Sequence, residues 1–554
     1  MPFPSELFLM IFSQVHTGAH NEVSPKTTLK NLTLTCKEFY CLAQPLLFES
    51  CTVTICRDSP DVVRNPYAPS WQIYPLKIRE PKKTIEKLSF MGQERIAAGI
   101  RSCPVTPTEY LKHGRDRYNH CLDDPRERVI LDFFFDDLLP KLVNLKHLEL
   151  ARITLTSFHL RCLRNVPIIH SLHVETCFSK EDEHGDEESL HDRLDALPVK
   201  HLVFQQMPID WTSPNVYVPL PQPALLESLS FYMFQPARQD LFEDPYHNLL
   251  PWLTSLGPFP SLRSLNVVWV PCGAQCDWRP FISSHCPSLE RLSIVQSVGA
   301  KLDATPQQFP SLKFFRGTWN DARLYGFGPG CSGLQHLLVS AKCAQIPIRA
   351  REDRTLTDST ALSGPVVLAG LNESPGGFAH LESLKISMYD VSDELITRLF
   401  RCCPRLRALK IDSRVLYRFR ENGLSALASV LIAAVSLPDL EYMSLCFVNV
   451  ATEERPRLDR MIYFLSSQLR VHCPKLRYVH IAPVPGRISE EGYCTVRFDP
   501  VGARWLIQDY SIESWWNGIV IGHTPSLRRL ESFNTRITEA RAAVMPLFLR
   551  FLVS

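Results

Sequence analysis

A short pattern of apolar and polar positions recurs along most of the chain. A proline-marked turn is followed by Leu-x-x-Leu-x-apolar: the copy at His285–Ile294 reads HCPSLERLSI, and similar copies begin at Phe259, Cys403, Cys473 and Thr524. Alternate side chains of a β-strand point to opposite faces, so the leucines of each copy would lie on one face. One copy cannot bury that row alone, and the copies must therefore stack on one another.

The spacing of the copies is typical of leucine-rich repeats. Their first apolar positions are Ile85, Leu145, Ile169, Val199, Leu226, Leu262, Leu289, Leu312, Leu334, Leu381, Leu406, Leu440, Leu476 and Leu527. From Leu145 onward, half of the intervals are 22 to 27 residues, close to the 20–29 residues of that repeat class. The pattern predicts an α/β fold, a leucine-rich-repeat solenoid with a curved parallel sheet inside and helices outside.

Helical periodicity occurs between some of the copies. Apolar residues three and four apart predict outer helices over Ser392–Cys402 and Glu421–Leu437. The apolar residues Phe548, Leu549 and Phe551 are expected to cap the last repeat.

The first fifty residues have a different pattern. Pro4-Ser5-Glu6 is a helix-start signal, and Leu7, Met10, Ile11 and Val15 then form one apolar helical face. A polar loop follows, and a second helix is predicted from Leu29 until Pro45 ends it. So short a unit cannot bury a large core and must lean on a partner or on the next domain.

These residues carry a resemblance to a known family. The runs PFPSELFLMIF and LTLTCKEFYCLAQPLLFE resemble an F-box as found in fungal F-box proteins. The resemblance implies binding to a Skp-type adaptor, and through it to a cullin. The positions that match the family's adaptor-facing or core-defining residues are Pro4, Leu7, Ile11, Leu32, Leu34, Cys36 and Phe39. The alternative interpretation is an N-terminal helical cap for the solenoid.

The domain boundaries follow from these patterns. Residues 1–50 are the F-box, 51–140 a connecting region with a first irregular repeat, and 141–554 the repeat solenoid with its C-terminal cap. Within the connecting region we expect a strand at Ile85–Phe90 and a helix at Glu127–Leu139.

Composition narrows the class of partner. The chain has 554 residues, 45% of them hydrophobic, and a net charge of +2, which favours neither nucleic acid nor a membrane as the partner. No apolar run reaches the roughly 20 residues of a membrane span, and the N-terminus lacks the basic start of a signal peptide. We therefore expect an intracellular protein, cytoplasmic and/or nuclear.

The 18 cysteines indicate packing rather than metal binding. They form no paired C-x-x-C blocks, and Cys103, Cys286, Cys403 and Cys473 each precede a proline. We expect these four to be buried at turns, with no metal site.

Signals for catalysis are weak. Gly328–Gly333 matches G-x-G-x-x-G, but it leads into a strand-like run instead of a helix. The sequence holds no H-E-x-x-H, P-loop or G-x-S-x-G motif. We predict no catalytic residues, no cofactor and no enzymatic activity.

Two sets of outward strand positions are candidates for binding a target protein. The first is apolar and aromatic: its outward positions are Tyr232, Val268 and Val295, and Trp269 and Trp319 lie nearby. Exposed residues of this kind on a rigid sheet form a plausible contact patch, unless the chain's own loops cover them.

The second set is basic. Arg398–Arg420 holds eight Lys or Arg and a single acid, Asp412. Lys385 and Lys410 take the same position on neighbouring strands, with Arg407 and Arg414 at their sides. The set could capture an acidic or phosphorylated segment, or it could be a solvated face. The acidic run Ser179–Asp195 is most simply a solvated loop.

Two hypotheses for function remain. The family resemblance implies the substrate-recognition subunit of a Skp–cullin–F-box ubiquitin ligase, in which the F-box binds the adaptor and the repeats bind the target. The alternative is a leucine-rich-repeat interaction scaffold that does not take part in a ligase. The sequence does not identify the target.

Overall fold

The computed structural model divides the chain into two compact units. The first comprises Met1–Leu262 and Trp278–Cys286, and the second Arg263–Asp277 and Pro287–Ser554. The residues described are 30–31, 34, 37–55, 57–58, 77–78, 81–107, 125–166, 169–180, 197–206, 221–234, 253–270, 278–296, 309–317, 319, 322, 333–339, 367, 378–388, 393–413, 430, 432–446, 469–482, 494–499 and 504–508.

The first unit combines short helices with parallel strands. Its helices are α1 (Lys37–Phe48), α2 (Pro81–Met91), α3 (Glu94–Ala97), α4 (Pro125–Phe133), α5 (Ser157–Asn165) and α6 (Arg279–His285), and α4 continues through a π-helical turn (Phe134–Leu138) and a 3-10 turn (Leu139–Lys141). Its strands are β1 (Val53–Ile55), β2 (Arg57–Asp58), β3 (Lys77–Ile78), β4 (Ser102–Pro107), β5 (His147–Ala151), β6 (Thr154–Thr156), β7 (Ile169–Glu175), β8 (Phe178–Lys180), β9 (Val199–Gln206) and β10 (Ser228–Phe234). The main sheet runs β1-β4-β5-β7-β9-β10 with every pair parallel.

The second unit holds a long parallel sheet. Its elements are β11 (Ser264–Val270), β12 (Arg291–Gln296), β13 (Phe314–Gly317), β14 (His336–Val339), β15 (Ser383–Met388), α7 (Asp393–Cys402), β16 (Ala408–Ser413), β17 (Tyr442–Cys446), β18 (Tyr478–Ala482), β19 (Cys494–Asp499) and β20 (Arg504–Gln508). Strands β11 to β18 pair in sequence order and are parallel, whereas β19 and β20 are antiparallel.

The register of the second unit aligns the repeat leucines. The face that carries them, called the leucine face, places one residue of each strand in a single row: Leu265, Leu292, Phe315, Leu337, Leu384, Leu409, Met443 and Val479. Every member of this row is buried. Burial of a side chain of this size contributes about 1.5–3 kcal/mol, so the row is the core of the unit. The predicted long parallel repeat sheet is confirmed.

The proline-marked turn has a direct structural role. In the copies at Cys403 and Cys473 the cysteine carbonyl accepts a hydrogen bond from the N–H of the leucine three residues later, at 3.2 and 2.9 Å. Proline at the second position of such a turn fixes its φ angle. The turn therefore delivers each leucine to the sheet in one orientation.

The cysteines of these turns are part of the core. Cys286, Cys403 and Cys473 are fully buried at the turns. Cys103 is fully buried too, but it lies within strand β4, so the turn position predicted for it is wrong. Burial raises the pKa of the Cys286 thiol to about 12 and that of Cys473 to about 11. The predicted packing role is confirmed.

The predicted strand at Ile85–Phe90 is wrong. These residues belong to α2, which begins at Pro81 and buries Leu88 and Met91. Leu88 and Met91 are three residues apart and lie on one helical face, and proline in the first turn suits a helix start. The helix predicted at Glu127–Leu139 corresponds to α4 and its π-helical extension, and that predicted at Ser392–Cys402 to α7.

Pro45 does not end the second N-terminal helix as predicted. Helix α1 continues through it to Phe48. Proline removes one helical hydrogen bond, and the remaining turn of α1 extends only three residues beyond it. The repeat predicted at Leu527, the cap residues Phe548, Leu549 and Phe551, and most of the acidic run lie outside the described residues.

Candidate interaction surface

Two of the seven predicted adaptor-binding positions, Leu34 and Phe39, lie among the described residues. Pro4, Leu7, Ile11, Leu32 and Cys36 lie outside the described residues. Leu34 is 78% exposed, and Phe39 is half-buried in α1. The adaptor site stays a prediction.

The expected exposure of two aromatic candidates is wrong. Tyr232 is 6% exposed and Trp319 3% exposed. The Trp319 ring stacks on Phe378, with ring centroids 6.5 Å apart and planes inclined by 16°. Both side chains therefore belong to the interior, and neither can contact a partner without rearrangement.

The three remaining members of the aromatic and apolar set lie on neighbouring strands. Val268 and Trp269 are in β11 and Val295 is in β12, and Val268 and Val295 are register partners. Their side chains lie outside the described part of the structure. Whether they contact a target stays a prediction.

The predicted lysine pair is confirmed as a geometric arrangement. On the face opposite the leucine face, called the opposite face, Lys385 of β15 and Lys410 of β16 are register partners. Neighbouring strands are about 4.8 Å apart, so the two side chains leave the sheet side by side. Both lysines are half-buried.

A third cation lies in the same row and was missed by the sequence argument. Arg316 of β13 pairs with Leu338 of β14, which pairs with Lys385. Two strand spacings therefore separate Arg316 from Lys385, which is about 10 Å. We call Arg316, Lys385 and Lys410 the cationic row. The alternation within FFRG at Phe314–Gly317 could have placed Arg316 there.

Apolar side chains on the opposite face form a second buried cluster. Phe314, Leu338, Ala408 and Tyr442 are buried together, with Tyr478 partly buried against them. Tyr442 is only 1% exposed. This part of the opposite face is therefore core, and the half-buried basic side chains are the better candidates for contact with a partner.

Two polar side chains on this face are held by their neighbours. The guanidinium carbon of Arg291 lies 5.0 Å from the centre of the Phe314 ring, a cation–π distance. His336 Nδ1 is 2.8 Å from Ser383 Oγ. Burial lowers the pKa of both Arg291 and His336. These two residues thus flank the cationic row in fixed positions.

Arg407, predicted to lie beside the lysine pair, belongs to a different row. It immediately precedes β16 and donates to Glu441 Oε1 from Nε at 2.9 Å and from Nη2 at 2.7 Å. Its Nη1 is 3.7 Å from a carboxylate oxygen of Glu382. The hydrogen bond to Glu441 raises the pKa of Arg407. Arg414 lies outside the described residues.

Arg407 belongs to the row of residues that immediately precede the strands, and opposite charges alternate along this row. Glu290 lies 3.1 Å from Lys313 Nζ and 4.0 Å from Arg263 Nη1. The acids that precede the strands are thus paired with bases of the same row, and Arg407 has its own carboxylates.

The part of the chain that the structure describes contains no group of three or more His, Cys, Asp or Glu side chains arranged to hold a metal ion. Of the helices in that part, none has the length and apolar character of a membrane span.

Comparisons with known proteins add little. No family model matches the chain, and no curated protein is significantly similar to it. Among solved structures, the crystal structure of the Rad7 and Elc1 complex in yeast is similar to 80% of this chain and 88% of that one, with 14% identity and a TM-score of 0.31. A similarity this low assigns neither family nor function.

Proposed function

We propose that this protein is the substrate-recognition subunit of a Skp–cullin–F-box ubiquitin ligase. One observation carries the proposal: an F-box-like segment at residues 2–48 is followed in the same chain by a repeat sheet. The sheet supports the proposal because its repeat leucines are aligned in register and buried as a core. A sheet packed in this way is a rigid support for a bound target protein.

The proposed mechanism is positional. The F-box binds the adaptor, and the repeat sheet holds the target near the ubiquitin-charged enzyme. Ubiquitin transfer becomes faster because the effective concentration of the target's lysines at that enzyme is raised. The chain itself supplies no catalytic group in this scheme, and it would act in the cytoplasm and/or the nucleus.

Co-purification with a purified Skp-type adaptor tests the adaptor step. The double variant Leu7→Asp with Ile11→Asp places two charges on the predicted apolar face and is expected to abolish binding. A suitable control is Val143→Asp, because Val143 is 74% exposed in the first unit and the same chemical change there should leave binding intact. Retention of the adaptor by the double variant would refute the F-box assignment.

The rival hypothesis is a repeat scaffold outside any ligase. It predicts that the wild-type chain retains neither adaptor nor cullin, although its repeat sheet stays folded. Circular dichroism and thermal unfolding of the same samples separate a folded non-binder from a misfolded protein.

A further inference from the structure

Apolar side chains lie on the outer face of α4, where a surface helix normally carries polar residues. Val129 is 47% exposed, and Phe133 is half-buried one turn further along the same face. The inner face of α4 and of its π-helical turn is already packed, since Ile130 and Phe134 are fully buried. Exposed apolar side chains that lie together on one surface mark a site of interaction with another molecule.

These side chains border a cavity of about 500 Å³ between three helices of the first unit. Its apolar lining consists of Ile85 of α2, Val129 and Phe133 of α4, and Phe158 of α5. A second cavity of about 660 Å³ shares Ile85 with the first and is bordered by Phe90. Phe90 is 48% exposed. We call the surface formed by these five residues the α2–α4 groove.

The dimensions of the groove suit a helix that presents two apolar side chains. Each cavity falls in the range of roughly 300–1,000 Å³ that is typical of ligand pockets, so each has room for a leucine or aromatic side chain. Val129 and Phe133 are four residues apart, which is about 6 Å along the helix axis. Residues i and i+4 of a partner helix have the same spacing, and amphipathic helices bind apolar grooves through such residues.

Acidic residues border the apolar lining. The described residues around the smaller cavity include Asp132, Asp136 and Asp137, with Arg128 as the one base among them. Arg128 Nε is 3.9 Å from Asp132 Oδ2, so its charge is partly offset within α4. The three carboxylates give this end of the groove a negative potential, which attracts a basic side chain.

Two of the three acids already have partners. Asp132 Oδ1 is 2.8 Å from Nε2 of the buried His159, and Asp137 Oδ1 is 3.7 Å from Lys141 Nζ. Asp136 is exposed and forms no ion pair or hydrogen bond within the described part of the chain. Asp136 is therefore the carboxylate that is available to a basic residue from outside.

We propose that the α2–α4 groove binds a basic amphipathic helix of a partner protein. Two apolar residues one turn apart occupy the two cavities, and a lysine or arginine beside them pairs with Asp136. The apolar run Ser5–Val15 of this chain lacks the required charge, because it contains Glu6 and no lysine or arginine. The proposal does not rest on the ligase function, since the groove includes neither the predicted adaptor-binding positions nor the repeat sheet.

The experiment measures binding of three fluorophore-labelled synthetic helices to the full-length chain by fluorescence anisotropy. The leucine–lysine peptide is an alanine-based helix with leucines at positions i and i+4 and lysines beside them. The alanine–lysine peptide replaces the leucines with alanine, and the leucine–glutamate peptide replaces the lysines with glutamate.

We expect the leucine–lysine peptide to bind most tightly. Loss of the two leucines should weaken binding by at least about tenfold, because each buries apolar surface in a cavity. Exchange of lysine for glutamate should weaken binding by at least about threefold, because an exposed ion pair contributes little and its reversal adds repulsion. Equal affinity for all three peptides, or tighter binding of the leucine–glutamate peptide, would overturn the proposal.

A charge exchange locates the basic contact. Asp136→Lys should weaken binding of the leucine–lysine peptide and strengthen that of the leucine–glutamate peptide, by at least about threefold in each case. Misfolding cannot produce a gain in affinity, so the gain separates loss of the site from loss of the fold. Glu394→Lys makes the same change of charge at an exposed position of the second unit and should alter neither affinity.

A neutral substitution locates the apolar contact. Val129→Asn removes an apolar contact without adding charge and should weaken binding of the leucine–lysine peptide by at least about threefold. Val143→Asn is the matched control, because Val143 is 74% exposed and its binding should equal that of the wild type. Thermal unfolding of both variants shows whether they are folded. Unchanged binding by folded Val129→Asn and Asp136→Lys variants would refute the site.

Two further measurements identify a different occupant. Light scattering over a range of protein concentrations detects self-association, and a dimer that Val129→Asn abolishes would assign the groove to a second copy of the chain. Adaptor co-purification should be normal for Val129→Asn. Loss of the adaptor by this folded variant would make the adaptor the occupant. Either result overturns the proposal, whereas a wild-type chain that binds the leucine–lysine peptide but no adaptor refutes the ligase function alone.

Discussion

The guanidinium of Arg407 donates two hydrogen bonds to the same carboxylate oxygen of Glu441, at 2.9 Å from Nε and 2.7 Å from Nη2. The pair joins the starts of two neighbouring strands, yet the Arg407 side chain is 55% exposed. Solvent screening limits such a pair to about 0–1 kcal/mol. We therefore expect Arg407→Ala to lower the free energy of unfolding by less than about 1 kcal/mol, measured by urea denaturation at low salt. A larger loss would mean that the alternating row contributes more than exposed pairs normally do.

The buried repeat leucines should behave in the opposite way. Leu409 is fully buried and lies two residues from Arg407. We expect Leu409→Ala to lower the free energy of unfolding by about 2–5 kcal/mol, because it removes buried surface and leaves a cavity. The same denaturation series measures it. Equal effects of the Arg407 and Leu409 substitutions would contradict the assignment of the leucine face as the core.

The parallel sheet could be predicted from the sequence because the alternation of apolar and polar residues in each repeat is local and periodic. The alternation in RALKIDS places Leu409 on one face and Lys410 on the other, and both placements are confirmed. Burial of Tyr442 on the opposite face was not predictable, because alternation assigns a side chain to a face without saying what packs against it.

The strand was wrongly predicted at Ile85–Phe90 because the repeat phrase can also fit a helix. Ile85, Leu88 and Phe90 fit Leu-x-x-Leu-x-apolar, and Ile85 and Leu88 also fit the spacing of one helical face. Pro81 at the start and the buried Met91 three residues after Leu88 favour the helix. Alternation could assign Arg316 to the opposite face, but only the strand order shows that it shares a row with Lys385, because the insertion between β14 and β15 separates the two residues in the chain.

The thiols of the turn cysteines should be unreactive in the folded protein. Burial raises the pKa of Cys403, and it raises that of Cys473 to about 11. Because the thiolate is the reactive form, a maleimide at pH 7 should leave both cysteines unmodified until denaturant is added. Peptide mass spectrometry before and after addition of urea measures this. Rapid labelling of Cys403 in buffer alone would show that its repeat opens.

Acid should destabilise the first unit through a histidine cluster on its strands. The rings of His170 and His201 have centroids 4.8 Å apart, and those of His147 and His170 lie 6.2 Å apart. Burial lowers the pKa of His201, and repulsion from His170, Lys200 and His147 lowers it further, while Glu227 opposes the shift. The unfolded chain therefore takes up a proton near pH 6.5 that the folded chain binds only at lower pH.

This difference fixes the sign of the pH dependence. The stability associated with His201 is fully present above about pH 6.5 and is lost as the pH falls below it. We expect a lower urea midpoint at pH 5.5 than at pH 7.5, and His201→Asn should reduce that difference. His472→Asn, at an exposed position, serves as the control. An unchanged difference in the His201 variant would assign the acid sensitivity to other groups.

Gly317 occupies a repeat position that normally carries a large apolar residue, and its neighbour explains the exchange. A Cβ atom at Gly317 would lie 2.8 Å from Cζ of Phe315 and 2.8 Å from the backbone oxygen of Ile294. The Phe315 ring thus fills space that the side chain at position 317 would otherwise take. Gly317→Ala should cost about 1–3 kcal/mol of unfolding free energy, as overpacking does.

A second substitution separates the two contacts. Phe315→Leu shortens the ring side chain and should recover part of the loss in the double variant, but the contact with the Ile294 backbone stays. Gly333→Ala is the matched control, because a Cβ atom at Gly333 would lie 3.7 Å from the backbone oxygen of Pro310, an ordinary contact distance. Full recovery in the double variant would mean that the backbone shifts freely at this repeat. No recovery would mean that the backbone contact, and not the ring, requires glycine at position 317.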